Sequence, residues 1–275
     1  MEKVLESCVR FFKEKYSYDL SVYDHDFFKK TLECRIKSTA CKSGQEYSSY
    51  LLVTPAEPEI FIRQMSNSYS EFFRNSLTFS FLEQAIIPKL FEEHNKKASG
   101  DIRIWSAGCA SGQEPYSLAM LFEDYAESHA AKSSFRLFAT DKSSIQIEAA
   151  KMGLFVSDNI RNVKFKFINE YFSKIGDKYA VADRIKSRID FSVFSLLDEV
   201  RSAPPASVYG DFDLIMCSNL LFYYKPGYQK LIIEKLYHVL KPGGLFITSE
   251  AEVHLLDSVS GFRRYASPAP IFIKN

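Results

Sequence analysis

Ile102-Arg-Ile-Trp-Ser-Ala-Gly-Cys-Ala-Ser-Gly-Gln-Glu-Pro-Tyr-Ser117 runs from apolar residues rich in isoleucine into a chain of small residues, then into a segment opening on Glu-Pro. The expected structure is a buried strand, a turn built on Gly108 and Gly112, and a helix starting near Glu114. Proline suits a first helical turn, where its missing N–H would lack a partner anyway. Small residues from Ala107 to Gly112 let the backbone approach a bound ligand closely. Strand, glycine turn and helix in this order form the nucleotide-binding corner of a doubly wound sheet.

Downstream, FRLFAT (135–140), IDFSVF (189–194), FDLIMCS (212–218) and GLFITS (244–249) are short apolar runs separated by helical segments such as SSIQIEAAKM (143–152) and PGYQKLIIEKLYHVL (226–240). That alternation predicts βαβ units and a mostly parallel sheet, hence an α/β fold. Asp141 ends the second strand, where a carboxylate can grip ribose hydroxyls; the alternative is a cap for the helix that follows. A strand ending in Asn219 places an amide at the same sheet edge, and the Lys241-Pro-Gly-Gly244 turn leads into the next strand. The chain's end, RRYASPAPIFIKN (263–275), predicts a last antiparallel strand at the sheet edge. Residues 156–190 are too long for a connection and predict a small inserted helix and hairpin. Before residue 95, apolar residues recur at helical spacing (Val4, Cys8, Phe11 and Phe12; Phe27, Phe28, Leu32 and Ile36; Phe81, Ile86 and Leu90). Residues 1–95 therefore read as a helical domain with a linker helix, and 96–275 as the sheet domain.

The 275 residues carry 35 Lys and Arg against 34 Asp and Glu, a net charge of +1, which disfavours a nucleic-acid coat or membrane-surface protein. No run reaches the roughly 18 apolar residues of a membrane span, and the charged first twenty residues read as a helix and not a signal peptide. Five cysteines without a CxxC pair and five histidines without an HxxxH pair disfavour a disulfide framework and a metal site, and a reducing cytoplasm is the expected home. The GxGxxG pattern of dinucleotide enzymes is absent, which disfavours an oxidoreductase.

The order of these signals resembles the S-adenosylmethionine-dependent methyltransferases, and more narrowly the chemotaxis receptor methyltransferases of the CheR family. The resemblance rests on Ser70-Glu-Phe-Phe-Arg74, Trp105–Ser117, Ala139-Thr-Asp141, Cys217-Ser-Asn-Leu-Leu-Phe-Tyr-Tyr224 and Leu240–Gly244. It implies a seven-stranded Rossmann-like methyltransferase sheet, an N-terminal all-α domain and a small inserted subdomain. It further implies that Asp141 holds the cofactor ribose, Glu114 its amino acid portion, Asn219 and Leu220 the methionine side, and Ser195 and Leu196 the adenine. Ala107 and Gly108 line the turn, while Ser68, Ser70 and Arg74 close the site from the helical side. Arg74 and Tyr223 take the catalytic roles of placing the substrate carboxylate and the transferred methyl. A Ser-Glu pair should follow the last core strand; Ser249-Glu250 and Ala251-Glu252 both fit.

The implied activity is protein-glutamate O-methylation of chemotaxis receptors, in the cytoplasm and by a monomer. A glutamate acceptor is already ionised at neutral pH, so neither a metal nor a strong base is required. Lys29, Lys30, Arg35, Lys37 and Lys42 oppose only Glu33 and form a candidate basic strip for an acidic receptor helix, or simply a solvated face. In the family the inserted subdomain can dock a receptor's C-terminal pentapeptide; the short Ile175–Tyr179 turn points to the tether-independent type. Two rival readings are a non-catalytic module that binds S-adenosylmethionine and a small-molecule methyltransferase.

Overall fold

The computed structural model describes residues 2–66, 69–97, 100–207, 210–257 and 259–275. The chain forms two compact units, residues 1–67 with 222–230, and residues 68–221 with 231–275. The linker helix thus packs with the sheet.

The first unit contains α1 (Glu2–Tyr16), α2 (His25–Ser38), α3 (Gly44–Val53) and α4 (Glu57–Met65). Asp24 caps α2 by accepting from the Asp26 and Phe27 amides, and Ser43 caps α3 by accepting from Glu46. These bonds satisfy donors that a helix start otherwise leaves open. The periodic residues meet inside: Val4, Cys8, Phe12, Phe28, Leu32, Tyr47, Leu51 and Phe61 are buried. One member of the expected basic strip is corrected. Arg35 turns inward and pairs with buried Glu57 through two bonds of 2.8 and 2.7 Å, while the Tyr47 hydroxyl donates to the same carboxylate at 2.7 Å. Lys30, Lys37 and Lys42 stay exposed.

In the second unit, α5 (Ser76–Phe81), a π-turn (Leu82–Ile86) and α6 (Ile87–Lys97) form the linker helix. The quoted stretch becomes β1 (Ile102–Ala107) and α7 (Gln113–Ser128), followed by β2 (Phe135–Asp141) and α8 (Ser144–Met152). The insertion holds β3 (Leu154–Val156), α9 (Phe165–Tyr171), β4 (Phe172–Ile175), β5 (Lys178–Val181) and α10 (Asp183–Lys186), its strands pairing in the order β3-β5-β4. The expected helix and hairpin are present, with a third strand ahead of them. Ion pairs of one polarity tie the insertion to the linker helix, the segment leading into it and α7: Arg161 to Glu71, Lys164 to Glu83, Lys166 to Asp124, Arg184 to Glu127 and Arg188 to Glu123.

The chain continues through β6 (Ile189–Val193), β7 (Phe212–Met216), α11 (Pro226–Val239), β8 (Leu240–Ile247), α12 (Val253–Asp257), β9 (Phe262–Ala266) and β10 (Ile271–Lys274). The main sheet runs β6-β2-β1-β7-β8-β10-β9, parallel through β8, with β10 antiparallel to both neighbours. Its seven strands give the expected Rossmann-like architecture. The C-terminal expectation needs correction, because Phe262–Ala266 is itself the edge strand and the final strand lies inside the sheet. Chain order reverses between β1 and β7, so a crevice opens at their carboxyl ends, where doubly wound sheets bind ligands.

Candidate functional site

The turn after β1 is pinned to the end of β2, since the Gly108 and Cys109 amides both donate to the Thr140 carbonyl, at 2.8 and 2.9 Å. Gly108 and Gly112 adopt φ of 83° and 96°, where a side chain would be strained. At Gly108 the space is taken as well, for a Cβ there would lie 2.7 Å from Leu220 Cδ2.

Asp141 follows this turn closely. Its carboxylate accepts from the Ala110 amide at 3.0 Å and from the Ser143 amide at 2.9 Å. The cap of α8 is Ser143, which accepts from Gln146, so Asp141 is not the helix cap. Burial raises the Asp141 carboxyl above its ordinary value, and the two amides partly offset that.

Glu114 lies in the first turn of α7 and accepts from the Ser106 hydroxyl at 2.7 Å. It is half-buried among protein atoms. Their desolvation pushes its carboxyl from 4.5 to about 8; Ser106 and the Arg74 charge pull it down, while Glu252 pushes it up. A carboxyl poised in this way gains most when a cation arrives.

Arg74 sits between two residues in the left-handed region, Phe73 (φ 51°) and Asn75 (φ 66°). The Phe73 amide donates to Ser117 on α7 at 3.0 Å, and the Asn75 side chain donates to Glu250 at 3.2 Å. Both flanks of Arg74 are thereby anchored. Its guanidinium lies 5.6 Å from the Tyr69 ring centre and borders a cavity of about 380 Å³ that also involves Glu71, Phe79 and Lys164.

After β7, Asn219 takes φ 57°, and the amides of Asn219, Leu220 and Leu221 all donate to Glu252. Glu252 was only one of two sequence candidates, and the structure separates them: Glu252 holds this loop, Glu250 holds Asn75. Ser249-x-x-Glu252 is a capping box, a spelling visible in the sequence.

The expected residues thus fall into three groups. Ala107, Gly108, Glu114, Asp141, Asn219 and Leu220 gather around the turn after β1, and Arg74 reaches Glu114 electrostatically. Ser195 and Leu196 follow β6, the serine exposed and accepting from the Leu197 amide, the leucine buried; Ser70 is half-buried just ahead of Glu71. Tyr223 belongs to the helical unit, where its ring lies 4.6 Å from Phe27 and its carbonyl accepts from the Asp24 amide at 2.8 Å. Ser68 lies outside the described residues. Cys109 and Cys217 are buried, and desolvation raises their thiols far above the ordinary value, which leaves them inert as nucleophiles.

These residues fit an adenosyl amino acid. A bare glycine turn admits it, Asp141 offers acceptor oxygens for hydroxyls, and Glu114 offers an acid for an ammonium. The buried Ser218 hydroxyl beside Asn219 has no protein partner among the described residues.

Comparison with known proteins agrees. The family model described as "CheR methyltransferase, SAM binding domain" matches residues 68–265. A chemotaxis protein methyltransferase of Borreliella burgdorferi is 29% identical over 254 residues, covering 90% of this chain and 87% of the relative. Chemotaxis protein methyltransferase 1 of Pseudomonas aeruginosa is 32% identical over 200 residues, covering 70% and 69%. The same organism's "Probable biofilm formation methyltransferase WspC" is 27% identical over 249 residues, covering 90% of this chain and 56% of that one. With the glycine turn, the two half-buried acids and the anchored arginine all inside the matched span, the chain belongs to the CheR methyltransferase family and uses S-adenosylmethionine.

Proposed function

We propose that the chain methylates glutamate side chains of chemotaxis receptors, giving glutamate methyl esters. The observation that carries the reading is Arg74, a cation anchored on both flanks and lying within the span that matches the family model. When bound, S-adenosylmethionine supplies an electrophilic methyl on a sulfonium. The protein then has to bind, orient and dehydrate. Asp141 and Glu114 hold the nucleoside and its amino acid portion, and the Asn219–Leu220 loop lines the methionine side. Ser195 and Leu196 flank the base, with Ser68 and Ser70 closing the site.

Arg74 directs the incoming carboxylate through its N–H groups, which suit planar oxyanions. Holding the acceptor in line with the methyl replaces an encounter in solution, an effect that can contribute about 7–11 kcal/mol. Tyr223 is assigned the shaping of the methyl-transfer geometry. The acceptor is already an anion, so no residue has to remove a proton. Lys29, Lys30, Lys37 and Lys42, without Arg35, form the proposed contact with an acidic receptor helix, independent of a C-terminal tether. We further assign the protein to the cytoplasm, as a monomer.

The test is transfer of tritiated methyl from S-adenosylmethionine to receptor cytoplasmic fragments. Base-labile incorporation into the receptor supports the proposal. Cofactor binding without transfer to any receptor fragment supports the non-catalytic reading instead, and transfer only to small carboxylates or alcohols the small-molecule one.

A further inference from the structure

Glu252 has no exposed surface, and at least six neutral donors among the described residues converge on its carboxylate. Oε1 accepts from the Leu220 and Leu221 amides at 2.8 and 2.7 Å. Oε2 accepts from the Asn219 amide at 2.9 Å, the Thr248 hydroxyl at 3.0 Å, and the Ser249 hydroxyl and amide at 2.7 and 3.3 Å. A carboxylate offers about four lone-pair sites, so these contacts saturate it.

Burying a carboxylate is costly unless hydrogen bonds compensate. The compensation here has a direction. Three of the six donors are consecutive amides, starting at a left-handed Asn219, and successive amides turned toward one point form an anion nest. Filling that nest with the protein's own side chain fixes the loop's shape. The same loop carries Leu220, whose Cδ2 occupies the space beside Gly108. Thr248 and Ser249 hold the carboxylate from the β8 side, so the position of β8 is transmitted to the loop.

We propose that Glu252 is a positioning residue for the cofactor crevice, clamping the Asn219–Leu221 loop in the one shape that brings Leu220 over Gly108 and sets Asn219 at the edge of β7. The side chain acts through the loop and does not touch the cofactor. Only an acceptor with two oxygens performs this task, because an amide in its place would turn an NH₂ toward donors on one side.

The first measurement needs no variant. In the nucleoside-free full chain, amide hydrogen exchange at Asn219, Leu220 and Leu221 should be slowed to the level of neighbouring β7. Free exchange there overturns the proposal. Glu252→Gln should then speed exchange of these amides at least about tenfold and weaken S-adenosylhomocysteine binding by about 10- to 100-fold, measured by calorimetry. Ile86→Val, in the linker helix and outside the clamp, removes one buried methylene and lowers overall stability. It should leave exchange at 219–221 relative to β7, and nucleoside affinity, within about twofold of wild type. If Glu252→Gln binds the nucleoside as wild type does, or if Ile86→Val loses as much affinity as Glu252→Gln, the carboxylate has only a general structural role.

Discussion

Replacing Glu114 with glutamine should make the protein more stable in mild alkali and a worse binder of its cofactor. In the folded chain the Glu114 carboxyl is raised from 4.5 to about 8 by burial. Between those values the folded state keeps a proton that the unfolded chain releases. The resulting stabilisation is complete below about pH 4.5 and lost as pH rises to about 8. A shift of that size corresponds to at most about 5 kcal/mol at 1.36 kcal/mol per unit, and partial access to solvent reduces it to roughly 2–4. Glutamine keeps the acceptor for Ser106 and carries no such penalty.

Binding follows the same arithmetic in reverse. At pH 7 only about one carboxyl in ten is ionised, so pairing with an ammonium first costs about 1.4 kcal/mol, rising to about 2.7 at pH 6. The ligand's amino group, ordinarily near 7.7–8.0, stays charged over that range. Wild-type affinity for S-adenosylhomocysteine should therefore fall about tenfold from pH 7 to pH 6, while Glu114→Gln should be weaker and nearly flat. Urea unfolding at pH 5 and 8, with calorimetric titrations at pH 6, 7 and 8, measures both effects. A variant no more stable than wild type at pH 8, or a wild-type affinity indifferent to pH between 6 and 7, would refute the reasoning.

Arg74→Ala should cut turnover at saturating cofactor by about 100-fold or more, as expected for a misplaced acceptor; a loss confined to cofactor affinity, with turnover intact, contradicts the orienting role. Gly108→Ala puts a methyl 2.7 Å from Leu220 Cδ2 at φ 83° and should cost about 1–2 kcal/mol in urea unfolding, with weaker nucleoside binding. In the helical unit, Glu57→Ala strands Arg35 and the Tyr47 hydroxyl, so thermal unfolding should show a loss of about 3–5 kcal/mol. An unchanged melting curve would show that Arg35 is solvated instead.

The parts of this protein legible in its sequence are those governed by local rules. Ile102–Ser117 folds as strand, glycine turn and helix because period, turn chemistry and proline placement agree there. The inserted helix and hairpin follow from a connection too long to remain irregular. Arg35 was misread because charge spacing along α2 says nothing of an acid 22 residues away, and the buried pair exists only after α3 and α4 fold back. Asp141 was ambiguous because the cap signal belonged to Ser143, two residues on. Phe262–Ala266 was hidden by its arginines, which an edge strand tolerates because one face meets water. Glu252 was half legible, since its capping box is spelled out but its three loop amides come from a turn more than thirty residues earlier.

Residues 222–230 pack with Tyr23 and Phe27 in the helical unit: Tyr224 stacks on Tyr23 at 5.4 Å, and the Lys225 amide donates to the Val22 carbonyl. The polypeptide therefore passes between the two units three times, near residues 67, 221 and 230. A chimera that exchanges only the first 67 residues with a relative would bring in helices shaped for a different returning segment. Successful grafts should carry both pieces, and natural changes at Tyr23 or Phe27 should be answered by changes at Tyr223 or Tyr224.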